Sequence, residues 1–281
     1  MERIATPDGR LVDWREFGDT DGVPVVNCHG GLLCGLDVEP AHSAARRMGV
    51  RLISPDRPGV GFSTNAPGRT TADWAGDVAA LADALDLERF GSLGWSMGGQ
   101  YALALAALLP DRVSAAVVVA GAPPLTRSHI AQLSDTDRRL LHLATDLPRV
   151  ASLVFRGMGL TARALPGVLE RSTRRSLSEP DRRAFDELPQ GSFARWMAHA
   201  MRQPAGMVEE YLAWARPWGF SLDDVTCHTT IWQGDEDALA PAVWAEQMER
   251  AIPDATVRLV AGAGHFVAYR NWPQVLSAFV R

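Results

Sequence analysis

Through the first 121 residues, segments of strand type and helical type take turns along the chain, and this alternation constrains the fold more than any other feature. It is the pattern of a parallel sheet with helices on both faces. Val23 to Cys28, Leu52 to Ser54, Phe90 to Trp95 and the valine-rich run Val113 to Ala120 read as buried strands. Arg3 to Ala5 and Leu11 to Phe17 flank the turn Pro7-Asp8-Gly9 and read as a hairpin. Trp74, Val78, Leu81 and Leu85 recur at helical spacing and place one apolar stripe on the sheet, with Thr70 or Thr71 as the expected cap. Gly98 to Leu109 is apolar almost throughout, as expected of a helix buried on most sides.

Beyond Pro123 the alternation stops. Arg, Leu, Met and Trp then recur at helical spacing, broken by prolines at 148, 166, 180, 189, 204 and 217. Strand pattern returns at Thr229 to Trp232, followed by a helix from Pro241 to about Ile252, a strand from Thr256 to Val260 and a final helix past Phe266. The chain therefore divides into a core, residues 1–122 with 226–281, and an inserted helical region, residues 123–225, that would sit over it as a cap.

Composition removes several chemistries. All 28 basic residues are Arg and there is no Lys, so no imine-forming lysine, no pyridoxal phosphate anchor and no P-loop lysine is available. A net charge of −5 gives no pull toward nucleic acid or an anionic membrane. Arg171, Arg174, Arg175, Arg182 and Arg183 form a local basic stretch that reads as a solvated helical face. Cys28, Cys34 and Cys227 are too few and scattered for a disulfide framework or a zinc site, and an odd count fits a reducing compartment. MERIATPDGRLVDW has no apolar leader core, and no apolar run approaches the ~20 residues needed to span a bilayer. A cytoplasmic monomer or homodimer is expected, with no cofactor. No pair of histidines at helix spacing with a carboxylate suggests a metal.

Gly94-Trp95-Ser96-Met97-Gly98-Gly99 falls where a strand must turn directly into a buried helix, the setting of a nucleophile elbow. The hydroxyl of Ser96 is a weak nucleophile at neutral pH and needs a base. His265, in Gly262-Ala263-Gly264-His265-Phe266 after the last strand, is placed to serve. His42, His129, His142, His199 and His228 lie in helix or cap patterns and read as surface or core residues. The imidazole needs a carboxylate to fix its tautomer. Asp237 is chosen from Gln233-Gly234-Asp235-Glu236-Asp237, with Asp235 as the alternative. Donors for an oxyanion are expected from the amides of Met97 and of Gly31, in the loop His29-Gly30-Gly31-Leu32, where His29 reads as a structural hydrogen-bonding residue. The spacing of Gly91 to Gly99 does not match the dinucleotide fingerprint.

Taken in order, HGG at 29–31, DRPGVGFS at 56–63, GWSMGG at 94–99, GDED at 234–237 and GAGHF at 262–266 make the chain resemble the α/β-hydrolase superfamily over nearly its whole length. The resemblance implies an eight-stranded, mostly parallel sheet flanked by helices, a triad of Ser96, Asp237 and His265 at its carboxyl edge, and a lid-like cap. Haloalkane dehalogenases and epoxide hydrolases of this fold carry Asp where this chain has Ser96. HGGLLCG lacks the proline of the iminopeptidase HGGPG and is not the HGGG of hormone-sensitive-lipase-like esterases. What remains resembles the capped serine esterases, thioesterases, lactonases and carbon–carbon bond hydrolases.

The expected activity is hydrolysis of an ester, thioester or lactone of a small hydrophobic substrate through an acyl-serine, within the carboxylic-ester hydrolases. Leu32, Trp95, Trp196, Trp214 and Phe266 are the expected pocket residues. Phe155, Phe193, Met197, Met201, Tyr211 and Trp218 could join Trp196 and Trp214 in roofing that pocket or could form the insertion's own core. Carbon–carbon bond hydrolysis, a cofactor-independent lyase or oxygenase, and a non-catalytic small-molecule receptor are the alternatives. Arginines at the cap mouth would favour the first of these, since its substrates usually carry a carboxylate.

Overall fold

Each run read as a strand becomes one. In the computed structural model, which describes residues 2–280, these are β1 (Glu2–Ala5), β2 (Leu11–Gly18), β3 (Val23–Cys28), β4 (Val50–Pro55), β5 (Phe90–Trp95), β6 (Val113–Val119), β7 (Thr229–Gly234) and β8 (Ala255–Val260). They form one eight-stranded sheet in the order β1-β2-β4-β3-β5-β6-β7-β8. β2 is antiparallel to both of its neighbours, β1 and β4, and β4, β3, β5, β6, β7 and β8 run parallel. The fold is therefore of the α/β-hydrolase type, mostly parallel. From β3 the chain steps to one side to make β4 and then crosses to the other to make β5. At such a reversal the carboxyl ends of the two strands diverge and leave a crevice. The pairing of Cys28 with Gly94 puts the loop after β3 directly beside the turn after β5.

Helices α1 (His42–Arg47), α2 (Trp74–Ala84) and α3 (Gly98–Leu108) connect β3, β4, β5 and β6 in turn. Between β3 and β4 the sequence reading goes no further than placing His42 in a helix or cap pattern, and α1 begins at that residue. All of α3 but Leu108 is buried, which is why its sequence is apolar on every side. Its packing fixes two glycines: a Cβ on Gly98 would lie 1.9 Å from the Cys28 carbonyl oxygen, and one on Gly94 would lie 2.3 Å from that of Gly98.

Two expectations about helix ends need correction. Neither Thr70 nor Thr71 caps α2: its first amides, Trp74, Ala75 and Gly76, are taken by the carbonyls of Thr71, Ala72 and Asp73 in a tight turn. The Asp73 carboxylate instead accepts the amide and hydroxyl of Thr70, at 2.7 and 3.0 Å. After Phe266 the chain makes a short 3₁₀ turn, Val267–Arg270, before a separate helix at Trp272–Leu276. Pro273, with no N–H and a ring that clashes with a preceding helical turn, accounts for the break.

Between β6 and β7 lie seven helices: α4 (Arg127–Gln132), α5 (Asp135–Asp146), α6 (Pro148–Ala164), α7 (Pro166–Ser176), α8 (Glu179–Asp186), α9 (Ser192–Ala200) and α10 (Pro204–Ala215). Pro148, Pro166, Pro180 and Pro204 sit in the first turns of α6, α7, α8 and α10, where the missing amide costs nothing. Helix α7 has no buried residue, and Arg174 on it pairs with Asp186 across the surface, as a solvated basic face should. A last helix over β7 and β8 is α11 (Ala242–Ala251), and Trp272–Leu276 is α12.

Buried charges, not apolar contacts alone, fasten these helices to the sheet. Arg57, fully buried after β4, donates from Nε to both Glu210 oxygens on α10 at 3.1 and 3.0 Å. It also donates to the carbonyls of His29 and Gly30 at 2.5 and 3.3 Å. Arg69 completes the network on Glu210. Nearby, Asp56 accepts both arms of Arg15 at 2.8 Å and lies 2.8 Å from Nε2 of His199 on α9. The DRPGVGFS segment thus carries the charges that hold the insertion.

Candidate active site

Ser96 stands at the end of β5 with φ of +54°, a left-handed conformation that non-glycine residues rarely adopt. The strained turn is held by two bonds, from the Ser96 amide to the Val119 carbonyl at 2.8 Å and from the Gly99 amide to the Ser96 carbonyl at 2.9 Å. The side chain is thereby raised from the sheet into a cavity of about 520 Å³. Gly31 and Met97 line the same cavity, and a Cβ on Gly31 would meet the Met97 side chain at 3.2 Å. Neither amide donates to another backbone carbonyl among the described residues.

His265 also lines this cavity. Its Nδ1 lies 2.9 Å from Oδ2 of Asp237, which turns the other ring nitrogen away from the carboxylate. No hydrogen bond joins the ring to the Ser96 hydroxyl among the described residues; such bonds often tighten only when the reacting groups engage. The histidine loop is braced beside the serine by Trp95, whose indole N–H donates to the His265 carbonyl at 3.0 Å. Asp237 is held by the amides of Leu239 and Ala240, at 2.8 and 2.9 Å, and by the Gln233 side chain at 3.1 Å. Asp235, the alternative acid, accepts the Gly262 amide at 2.7 Å and so closes the loop instead.

Burial alone would lower the pKa of His265, but the Asp237 charge and hydrogen bond outweigh it, with Asp181 and Asp137 adding to them, and the ring is raised above its ordinary value. Asp181 was not identifiable from sequence as a site residue. It sits on α8, accepts the Phe266 amide at 2.8 Å and lies so close to Gly264 that a Cβ there would be 2.3 Å from its oxygen. Its only sequence signal, a serine three residues earlier, is that of an ordinary helix cap, which Ser178 indeed provides.

Of the expected pocket residues, Leu32, Trp95, Trp214 and Phe266 line the cavity and Trp196 does not. Phe193 and Met197, four apart on α9, face the cavity; Trp196 falls on another side of the helix, fully buried, with its indole donating to Glu39 at 3.3 Å. The other aromatic and sulfur residues divide likewise. Tyr211 reaches the cavity, whereas Phe155, which stacks on Tyr211, and Met201 and Trp218 are buried and do not line it.

His29 bonds only to its surroundings: Nδ1 lies 2.9 Å from the Gly30 carbonyl and Nε2 accepts the Arg57 amide at 3.2 Å. Burial, with Arg57 beside it, pushes its pKa down to about 3, so it stays neutral.

One cluster that the sequence did not suggest could in principle ligate a cation: atoms of Cys34, Asp56 and His199 lie within 4.8 Å of one another. Its chemistry does not fit a metal. The Asp56 carboxylate already carries the Arg15 guanidinium, which also comes within 3.4 Å of the His199 ring, and burial pushes the Cys34 thiol well above its ordinary pKa, away from the thiolate a metal needs. A second hollow of about 450 Å³, beside Arg69 and Tyr101, holds none of the residues named for catalysis.

The sequence pattern of the α/β hydrolase fold family matches residues 23–271, and the chain belongs to that family. Over 127 residues, 44% of this chain, it is 37% identical to a non-heme chloroperoxidase of Streptomyces lividans, a stretch covering 46% of that protein. Over 97% of its length it is 28% identical to 67% of a dihydrolipoyllysine-residue acetyltransferase component of an acetoin cleaving system from Pseudomonas putida. Among solved structures, a thermophilic esterase from Thermogutta terrifontis superposes with a TM-score of 0.69 at 24% identity, covering 99% of this chain and 96% of the esterase. A bromoperoxidase from Bacillus anthracis superposes with a TM-score of 0.73 at 21% identity, covering 99% of both chains.

Proposed function

We propose that the protein is a serine hydrolase that cleaves an ester, thioester or lactone through an acyl-serine at Ser96, with the inserted helices as its cap. The observation that carries this reading is that His265, paired with Asp237, lines the same cavity as a serine held at φ +54°. His265 takes the Ser96 proton as Oγ attacks the carbonyl carbon, and Asp237 holds the ring's tautomer and stabilises the imidazolium. The amides of Met97 and Gly31 receive the developing oxyanion, each donor lowering the barrier by about 3–4 kcal/mol. His265 then protonates the leaving group, and the same steps with water as nucleophile release the acid and restore Ser96. The name of the Thermogutta esterase agrees with this chemistry.

Two readings lose ground. A carbon–carbon bond hydrolase would be expected to grip its substrate's carboxylate, and no arginine among the described residues lines the cavity. The halogenating activity named for the Streptomyces relative rests on a match to less than half of either chain, and the Bacillus bromoperoxidase, at 21% identity, is a likeness of fold.

The test is hydrolysis of short-chain p-nitrophenyl esters, followed for a burst of p-nitrophenol and for its pH dependence. His265 must be neutral to act, so kcat/KM should rise with pH through the ring's pKa. Because Asp237, Asp181 and Asp137 raise that pKa, the acid limb should have its midpoint above about 6.5, the ordinary histidine value. A midpoint well below it, or hydrolysis indifferent to pH between 5 and 8, would contradict the assignment of His265 as base.

A further inference from the structure

We infer that the cavity is built to receive an ammonium group on its substrate, with Asp137 of α5 as the recognition residue. The inference names a substrate class for the site proposed above, resting on that reading for where the ester lies but not for the charge of the ligand.

The cavity's charges are unevenly distributed. Among its lining residues the ionisable side chains are Asp137, His265 and Tyr211, and no arginine among the described residues contributes to the lining. Asp137 forms no salt bridge among the described residues. Its sequence neighbour Arg138 pairs with Asp135 instead. The carboxylate accepts the Tyr211 hydroxyl on Oδ1 at 3.1 Å and the Ser134 hydroxyl on Oδ2 at 2.8 Å. A carboxylate has room for about four such bonds, so both oxygens keep acceptor capacity toward the cavity. Around it the walls are largely apolar and aromatic, with Trp95, Tyr211, Trp214 and Trp244 among them.

Asp137 also has a structural part, since Ser134 caps α5 by accepting the Asp137 amide at 3.1 Å. That bond uses the backbone of Asp137 and does not require a charged side chain. A negative charge without a cationic partner, facing a pocket that a substrate will desolvate, disfavours anions and is poorly matched by neutral alkyl groups. A protonated amine supplies the missing partner, and the indole and phenol faces add cation–π attraction. The shift of His265 is consistent with this placement, since Asp137 is near enough to act on the ring. The substrate class is therefore an ester, thioester or lactone bearing an amine that is protonated at neutral pH.

Binding is measured by calorimetry on the Ser96→Ala protein, so that turnover plays no part, with three ligands of similar size: 3-phenylpropylammonium, 3-phenylpropan-1-ol and 4-phenylbutyrate. The ammonium is expected to bind about tenfold or more tighter than the alcohol, and the carboxylate to bind weakest. In Ser96→Ala with Asp137→Asn, the ammonium and the alcohol should bind within about twofold of each other, the alcohol's own Kd staying as it was. Equal binding of ammonium and alcohol before the second substitution, no binding of the ammonium at millimolar concentration, or a loss shared equally by all three ligands would overturn the inference; the last is what a purely structural Asp137 would give. Hydrolysis of p-nitrophenyl esters by the unaltered protein is scored separately. Its absence counts against the acyl-serine reading and leaves the charge preference to stand or fall on binding.

Discussion

Ser96→Ala should lower kcat for a p-nitrophenyl ester by about 10⁴-fold or more while leaving the thermal midpoint within a few degrees of the unaltered protein. Removing the nucleophile of a triad leaves only the catalysis due to binding and the oxyanion donors, which is the basis for that magnitude. The fold should be indifferent because alanine keeps the Cβ, so the left-handed turn at residue 96 is no more strained than with serine. His265→Ala should produce a loss of the same order, since a hydroxyl without its base is a poor nucleophile. The comparison separates acyl transfer from a lyase or oxygenase on the same fold, where the histidine would be needed and the serine would not. Steady-state kinetics of the two variants, with circular dichroism to show that both fold, is the check.

Glu210→Ala is expected to destabilise the protein by about 3–5 kcal/mol, because it leaves two buried guanidinium groups without their counter-charge. Arg57 and Arg69 both spend their charge on Glu210, and all three side chains are at most 4% exposed. At about 2–4 °C for each kcal/mol in a chain of this size, the thermal midpoint should drop by about 10 °C. The damage should also reach the site, since Arg57 holds the carbonyls of His29 and Gly30 next to Gly31. Burial would raise the pKa of Glu210, but Arg57 and Arg69 overcome it and bring it down to about 2, below the value of 4.5 for an unperturbed glutamate. A carboxylate depressed in the folded state stabilises fully above its unfolded pKa and progressively less as pH falls toward its folded one. The stability difference between the unaltered protein and Glu210→Gln, measured by urea unfolding, should therefore be constant near neutrality and shrink from about pH 4.5 downward. A difference that grows on acidification would contradict the network as described.

What the sequence revealed and what it concealed divide along a physical line. Strands β3, β5 and β6 were legible because each is a short apolar run with a glycine within three residues of its end, and β5 was bounded to the residue. Ser96 was legible because Gly94 and Gly98 are demanded by a close approach of backbone that few other residues permit. The same holds, less sharply, for His265 after β8, and for the carboxylates after β7, where the choice between Asp235 and Asp237 depended on loop geometry that no local pattern encodes.

The contacts between insertion and core were not legible. Asp181 meets the Phe266 amide across 85 residues of sequence and Glu210 meets Arg57 across 153, and neither shows any periodicity of its own. Trp196 misled for a related reason. A helix lodged between α6, α7 and the loops of the core buries more than one face, so burial and aromatic character do not tell which side looks into the cavity. The α2 cap was misplaced because a threonine hydroxyl and a backbone carbonyl compete for the same first-turn amides, and here the carbonyls take them.

The activated hydroxyl itself can be trapped. Treatment with a fluorophosphonate, followed by proteolysis and mass mapping, should find a single stoichiometric adduct on Ser96, with labelling slowed by orders of magnitude in His265→Ala and absent in Ser96→Ala. No adduct at Ser96, or labelling whose rate does not depend on His265, would contradict the claim that the turn after β5 presents an activated hydroxyl to the cavity.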